Sequence, residues 1–214
     1  MIRTTALALL LAASFTAHAN PEAATTHPDP AKGKPIAEAV CGACHGTDGN
    51  SLAGANPNLA GQVPEYIVKQ LSNFKPGADG KAPLRNNAIM AGMAATVATE
   101  DDMKNVAAYF ASQKLKPQVA KDEKLVAQGQ KLWRAGDVKK GIPACAGCHG
   151  AAGAGLPAQF PRLAGQWAEY TENQLKTFRA GDRANDPEKM MRTIAAKMSD
   201  QEIKAVAEYA AGLR

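Results

Sequence analysis

The sequence predicts an all-α protein made of two tandem domains of the same kind. Three observations carry this reading. The pentapeptide Cys41-Gly42-Ala43-Cys44-His45 returns 104 residues later as Cys145-Ala146-Gly147-Cys148-His149. The residues after each copy repeat at the same spacing: Gly46, Leu52, Pro57, Leu59, Ala60, Gly61 and Gln62 match Gly150, Leu156, Pro161, Leu163, Ala164, Gly165 and Gln166. No stretch alternates as a half-buried strand does, whereas several place apolar residues at helical spacing. Two copies make a duplication, not a solenoid. The expected domains are residues 20–115 and 123–214, joined by a linker at 116–122 that contains Pro117.

The repeated motif is the attachment sequence for c-type haem. Both thiols add to the vinyl groups of the porphyrin as thioethers, and the adjacent histidine sits below the ring to ligate iron. Cys41, Cys44, Cys145 and Cys148 are all the cysteines present, so the two motifs consume every thiol and two haem c groups are expected. Zinc held by pooled C-x-x-C pairs would break the duplication. A thioredoxin-like dithiol needs strand–helix alternation that is absent here. Disulfides, which an exported chain permits, leave His45 and His149 unexplained.

Each element has its own signals. Ala31 to Val40 reads as a helix running into the first motif, with Pro35 tolerable only in a first turn. Gly46 to Gly61 is a loop. Pro64 suits a helix start, and Tyr66, Ile67, Leu71 and Phe74 give that helix a buried face. Gly77 to Ala88 is a second loop. Thr99 caps a helix with acids in its first turn, and Val106, Ala107, Tyr109 and Phe110 face its core. In the second half, Asp122 to Arg134 forms the first helix, with Leu125, Gly129, Leu132 and Trp133 on one side. A basic loop with Pro143 leads to Cys145. Tyr170, Gln174, Leu175 and Phe178 repeat Tyr66, Gln70, Leu71 and Phe74. Ser199 or Asp200 caps a last helix to about Gly212.

Composition sets the limits. Only 5% of residues are aromatic and 45% hydrophobic, a thin supply for two small cores that an attached apolar plate would supplement. Residues 1–19 read as a secretory signal: Arg3, an apolar run from Ala6 to Phe15, and the cleavage pattern Ala17-His18-Ala19. That run is shorter than the roughly 20 residues of a membrane span. The mature chain is therefore expected in the periplasm with no span, peripheral association with a membrane remaining open. The formal charge of +5 falls to +4 without Arg3, and four haem carboxylates would offset it. No basic block with interleaved aromatics supports nucleic-acid binding.

The other face of each iron decides what the haem does: a permanent sixth ligand gives an electron carrier, an open position gives oxygen or peroxide chemistry. Beyond the motifs the only histidines are His18, in the signal, and His27, near the mature start, so methionine is the remaining candidate. The choices are Met90, Met93 and Met103 in the first half, and Met190, Met191 and Met198 in the second. Met90 lies seven residues before Val97, and Met191 seven before Met198, the last apolar residues before each final cap. That spacing selects Met90 and Met191 and leaves Met93, Met103 and Met198 as core fillers. Met190 competes, because it matches Met90 at an offset of 100.

Pro57 and Pro161 each lie twelve residues beyond the motif histidine. Asn56-Pro57-Asn58-Leu59-Ala60-Gly61 and Phe160-Pro161-Arg162-Leu163-Ala164-Gly165 resemble the proline loop of class I cytochromes c. In that family the proline carbonyl accepts the proton on the other nitrogen of the ligating histidine. The chain from Asn20 onward resembles the dihaem cytochromes c4 of the bacterial periplasm. The likeness covers both motifs, both proline loops, Met90-Ala91-Gly92-Met93 and Met191-Arg192. It implies the methionine followed by arginine, Met191, as second-half ligand, and two domains packed with their haems facing each other. It also implies donors such as a quinol-oxidising cytochrome bc-type complex and acceptors such as a terminal oxidase. One departure is an extra residue between Met90 and the last helix of its domain. Gln62, Gln166, Tyr66 and Tyr170 are open to three roles: bonding haem carboxylates, crossing between domains, or packing. The expected function is single-electron transfer without catalysis. An electron-transfer subunit of a dehydrogenase and a dihaem peroxidase are the alternatives.

Overall fold

The computed structural model describes residues 27–77 and 79–214; the signal-like stretch 1–19 lies outside them. Among the described residues the chain is helical, with isolated bridges and no named strand. In the first domain α1 (Pro30–Ile36) passes into a single π turn (Ala37–Cys41) and the motif helix α2 (Gly42–His45). Then come α3 (Pro64–Phe74), α4 (Ala88–Thr96) and α5 (Glu100–Ser112). The second domain has α6 (Glu123–Ala135), the motif helix α7 (Ala146–His149), α8 (Ala168–Ala180), a short 3₁₀ turn (Pro187–Lys189), α9 (Met190–Ala195) and α10 (Asp200–Gly212).

Local chemistry explains the ends. Asp29 caps α1 through Ala31 N, with Pro30 in the first turn. Thr99 and Asp102 form a reciprocal capping box at α5, and Ser199 and Glu202 do the same at α10. Pro35 lies inside α1, beyond its first turn. It has no N–H to continue the helical ladder, and the chain widens into the π turn two residues later. The two short methionine-bearing helices, α4 and α9, are features that apolar spacing alone did not define.

In each domain the first helix crosses the last at a glycine. A Cβ on Gly33 would fall 2.0 Å from the carbonyl oxygen of Asn105, and one on Gly129 would fall 2.1 Å from that of Ala205. Bare backbone is what lets α1 reach α5 and α6 reach α10. The cores follow the expected faces: Ile67, Leu71, Phe74, Val106, Ala107, Tyr109 and Phe110 cluster in the first domain. Trp133, Leu175, Met198, Ile203, Val206 and Tyr209 cluster in the second.

The halves meet through reciprocal bonds. Gln62 Nε2 donates to the Arg162 carbonyl (3.0 Å), while Arg162 N donates to Gln62 Oε1 (2.8 Å). Gln166 Nε2 donates to the Asn58 carbonyl (2.9 Å), while Asn58 N donates to Gln166 Oε1 (2.8 Å). Each glutamine oxygen also accepts from the next residue's amide, Val63 N or Trp167 N, at the start of α3 or α8. Gln62 and Gln166 thus cross between domains, at sites 8% and 6% exposed.

Candidate haem sites

Each motif is a short helix that ends on a buried histidine. Gly46 and Gly150 follow with φ of 76° and 82°, a left-handed turn that glycine takes without strain. The turn sends the chain into the loop that carries the proline. His45 Nδ1 lies 2.9 Å from the Pro57 carbonyl, and His149 Nδ1 lies 3.0 Å from that of Pro161. A carbonyl only accepts, so the proton resides on Nδ1 and the lone pair of Nε2 is free to ligate. Burial lowers both imidazole pKa values, and the carbonyl bonds pull the other way. The rings are therefore held neutral, as a metal ligand must be, and fixed in orientation.

The loops are rigid around this bond. Ser51 N donates to Asn58 Oδ1 (3.0 Å) in the first, and Leu59 N and Ala60 N both reach the Gly49 carbonyl. Leu163 N and Ala164 N reach the Gly153 carbonyl in the same way. In the second domain the His149 ring meets Phe160 edge-on at 6.1 Å.

No disulfide joins any of the four cysteines. Burial pushes the Cys41 and Cys145 thiols up to about 11, the opposite of the lowered value that marks a thiolate nucleophile or metal ligand. No three His, Cys, Asp or Glu side chains converge on a metal-sized point among the described residues. The donor set therefore fits a c-type haem: two thiols, a histidine with a free Nε2, and a soft thioether sulfur on the same core.

α4 and α9 each bring a thioether to these cores: Met90 and Cys41 both pack against the first buried cluster, and Met191 and Cys145 both pack against the second. The helices align at an offset of 101, which pairs Met90, Ala94 and Val97 with Met191, Ala195 and Met198; the last two of each set are buried. Met190 falls outside that register. The extra residue of the first domain is then Ala98, between Val97 and Thr99. Met103 (8% exposed) and Met198 (5%) are core side chains as expected, but Met93 is not: it is 41% exposed, on the edge of the face that Ala94 and Val97 bury.

Four residues that shape these sites went unnoticed in the sequence. Asn87 caps α4 by accepting from Met90 N (2.9 Å). Asp186 accepts from Arg192 N (3.0 Å) and from Arg192 Nε (2.7 Å), with its side chain 3% exposed. Burial alone would raise that carboxyl; the Arg192 bonds outweigh it and hold the pKa low. Arg85 and Arg183 bridge the domains. Arg85 donates to Gln70 Oε1, Tyr170 Oη and Gln174 Oε1 (2.7, 3.1 and 2.8 Å). Arg183 donates to Gln174 Oε1, Tyr66 Oη and Gln70 Oε1 (2.8, 2.9 and 3.3 Å). Tyr66 and Tyr170 thus bond across the boundary. An arginine shared by both halves was the available signal, hidden because its offset is 98 while the neighbouring repeats keep 104.

Comparison with known proteins agrees with this geometry. The cytochrome c family pattern matches residues 30–114 and again 126–213. The chain is 49% identical over 187 residues to cytochrome c4 of Thiocapsa roseopersicina, covering 86% of this chain and 93% of that protein. It is 39% identical over 180 residues to a thiosulfate dehydrogenase electron acceptor of Thiomonas intermedia, covering 83% and 80%. The crystal structure of reduced recombinant cytochrome c4 from Pseudomonas stutzeri superposes with a TM-score of 0.80 at 44% identity, covering 87% of this chain and 99% of that one.

Proposed function

The chain belongs to the cytochrome c4 family of dihaem electron carriers, and from that premise we propose how its two sites hold and pass single electrons, and between which partners. When bound, each haem supplies one-electron ferric/ferrous chemistry. Everything else is the work of the protein. His45 and His149 present Nε2 from one side, oriented by Pro57 and Pro161. Met90 and Met191 would supply thioether sulfur as the second ligand of each iron. A soft, neutral sulfur and a dry core both favour the ferrous form and so raise the potential. Two permanent ligands would leave no room for peroxide, and would keep the geometry alike in both oxidation states so that little rearranges during transfer.

The observation that carries this reading is the shared register of Met90 with Met191, each on the same core cluster as its motif cysteine. The test is the absorption spectrum of the oxidised holoprotein and of four variants. The iron–methionine charge-transfer band should halve in Met90→Ala and in Met191→Ala and persist in Met93→Ala and Met190→Ala. A high-spin haem in the unaltered protein, with turnover of peroxide, overturns the carrier mechanism.

The partners proposed are a quinol-oxidising cytochrome bc-type complex as donor and a terminal oxidase as acceptor. A second donor, a dehydrogenase, is favoured by the relative named a thiosulfate dehydrogenase electron acceptor. Stopped-flow reduction by each purified donor separates them. Export with cleavage after Ala19 would place the protein in the periplasm; a mature N-terminus other than Asn20 refutes that boundary. No helix among the described residues is long and apolar enough to cross a membrane.

A further inference from the structure

The two methionine helices are held alike at one end and differently at the other. Lys75 donates to the carbonyl of Val97 at the end of α4, and Arg179 to that of Met198 just past α9. Each of these cations lies in its own domain, at the close of α3 or α8. At the leading ends the domains part. Asn87 stands two residues after Arg85, as Asn185 stands two after Arg183. Asn87 is exposed and caps α4 directly, accepting from Met90 N.

Asn185 is buried and turned to the first domain. Its Nδ2 donates to Gln70 Oε1 (3.0 Å) and to Asn73 Oδ1 (2.8 Å). Its carbonyl accepts from Lys69 Nζ (2.7 Å), which also donates to Asn73 Oδ1 (3.2 Å). All three partners lie on α3. Within its own domain Asn185 Oδ1 accepts from Arg183 Nε (3.1 Å). Capping therefore passes to the next residue. Asp186 takes the Arg192 amide and Nε, and Arg192 Nη2 returns to the Ala184 carbonyl (3.1 Å). Residues 184–186 and Arg192 close into a clasp, and Met191 is the residue beside Arg192. The helix α9 has only six residues, too few to keep its place by its own ladder, so what grips its ends sets where it lies. The cation that begins this chain is found on one side only: Asn173 stands in α8 where Lys69 stands in α3.

We propose that Lys69, Asn185 and Asp186 are positioning residues through which the first domain holds Met191 in place. Lys69 and its neighbours on α3 fix Asn185, the adjoining peptide aims the Asp186 carboxylate, and that carboxylate fixes Arg192 and the methionine next to it. The proposal rests on the reading of Met191 as the second ligand of its iron. Under it, a residue of the first domain governs how often the second site opens, and has no such effect on the site of its own domain.

The experiment follows cyanide binding to the ferric dihaem protein, each haem read by its own haem-methyl NMR signals, with backbone hydrogen exchange over residues 190–195 measured alongside. Cyanide enters only while the methionine is away, so its rate reads ligand opening. Lys69→Met keeps the apolar stem and removes the ammonium; it should speed cyanide binding at the second haem about tenfold, as loss of a charged hydrogen bond does, and leave the first within about twofold of the parent. Exchange over 190–195 should quicken with it. Lys69→Arg restores a cationic donor and should recover most of both effects. A second-haem rate within about twofold of the parent in Lys69→Met, an equal rise at both haems, or a rise at the first haem alone overturns the proposal. The ligand reading fails separately, by an intact methionine band in Met191→Ala, and the exchange rates then still decide whether Lys69 holds α9.

Discussion

Both domains must bond the backbone carbonyl two residues past the motif histidine, and they do it with different side chains. In the first, Tyr109 Oη of the last helix donates to the Thr47 carbonyl (3.0 Å). In the second, Trp133 Nε1 of the first helix donates to the Ala151 carbonyl (3.1 Å), and Tyr209, the counterpart of Tyr109, packs beside the indole with ring centroids 6.1 Å apart. Ala37 is what α1 and its π turn place at the point where α6 places Trp133; both are fully buried, at 0% and 1% exposure. The difference begins with chain length. Cys41 lies eight positions after Gly33, and Cys145 sixteen after Gly129. The shorter path stays helical from Gly33 into the motif, while the longer path ends α6 at Ala135 and inserts the Asp137–Ile142 bridged loop. What the two halves preserve is a set of bonds around the motif, and the residues that make them are free to move between helices.

The contrast can be tested by removing each half's own solution. Trp133→Ala should cost about 3–5 kcal/mol, read by denaturant unfolding followed at the second haem, while Tyr109→Phe removes one hydrogen bond and costs about 1 kcal/mol. Equal costs would mean that the indole is not the keystone of its domain. The methionine helices differ in the same sense. Asp186→Ala strands the Arg192 guanidinium and should cost about 3 kcal/mol with weakening of the second methionine band; Asn87→Ala removes a cap and should cost about 1 kcal/mol with the band intact. Absorption spectra under increasing denaturant compare the two.

The helix crossings, by contrast, are alike. Gly33→Ala and Gly129→Ala should each cost about 1–3 kcal/mol, seen as lowered melting temperatures. A large inequality would show that one crossing yields where the other does not. The smallest effect belongs to Asp48, paired with Lys116 at 2.9 Å. Ala152 stands at the matching place in the second domain. Lys116 holds the Asp48 carboxyl down at about 2, from an ordinary 3.8. The folded value is the depressed one. The pair therefore stabilises the fold above the ordinary value, and the gain is lost as pH falls through about 2. Being exposed, it is worth less than about 1 kcal/mol. Asp48→Asn should lower stability slightly at neutral pH, and parent and variant should converge in acid melts.

These contrasts also show why some of the molecule was legible in the sequence. The motifs, the proline loops and α3, α5, α6, α8 and α10 repeat at nearly fixed offsets with clear apolar faces, so covalent chemistry and packing both left their marks. Gly33 was obscured as the partner of Gly129 because the eight-residue difference falls between glycine and motif. The helices α4 and α9 are too short to show a period, and Met93 was misplaced for that reason. Arg85 and Arg183 sit in loops of unequal length, where only a three-dimensional view shows that their bonds cross.

The reciprocal contacts have a consequence for history. Asn58 touches Gln166 as Arg162 touches Gln62, and Arg85 meets Arg183 on the axis between them. This is the self-complementary surface of a twofold homodimer, here formed within one polypeptide. A single-domain ancestor that paired with itself would have had these contacts before any gene duplication joined the copies. Fusion of such copies would fix the stoichiometry and release each from identity, and Trp133, Trp167 and Asp186 now stand on one side only.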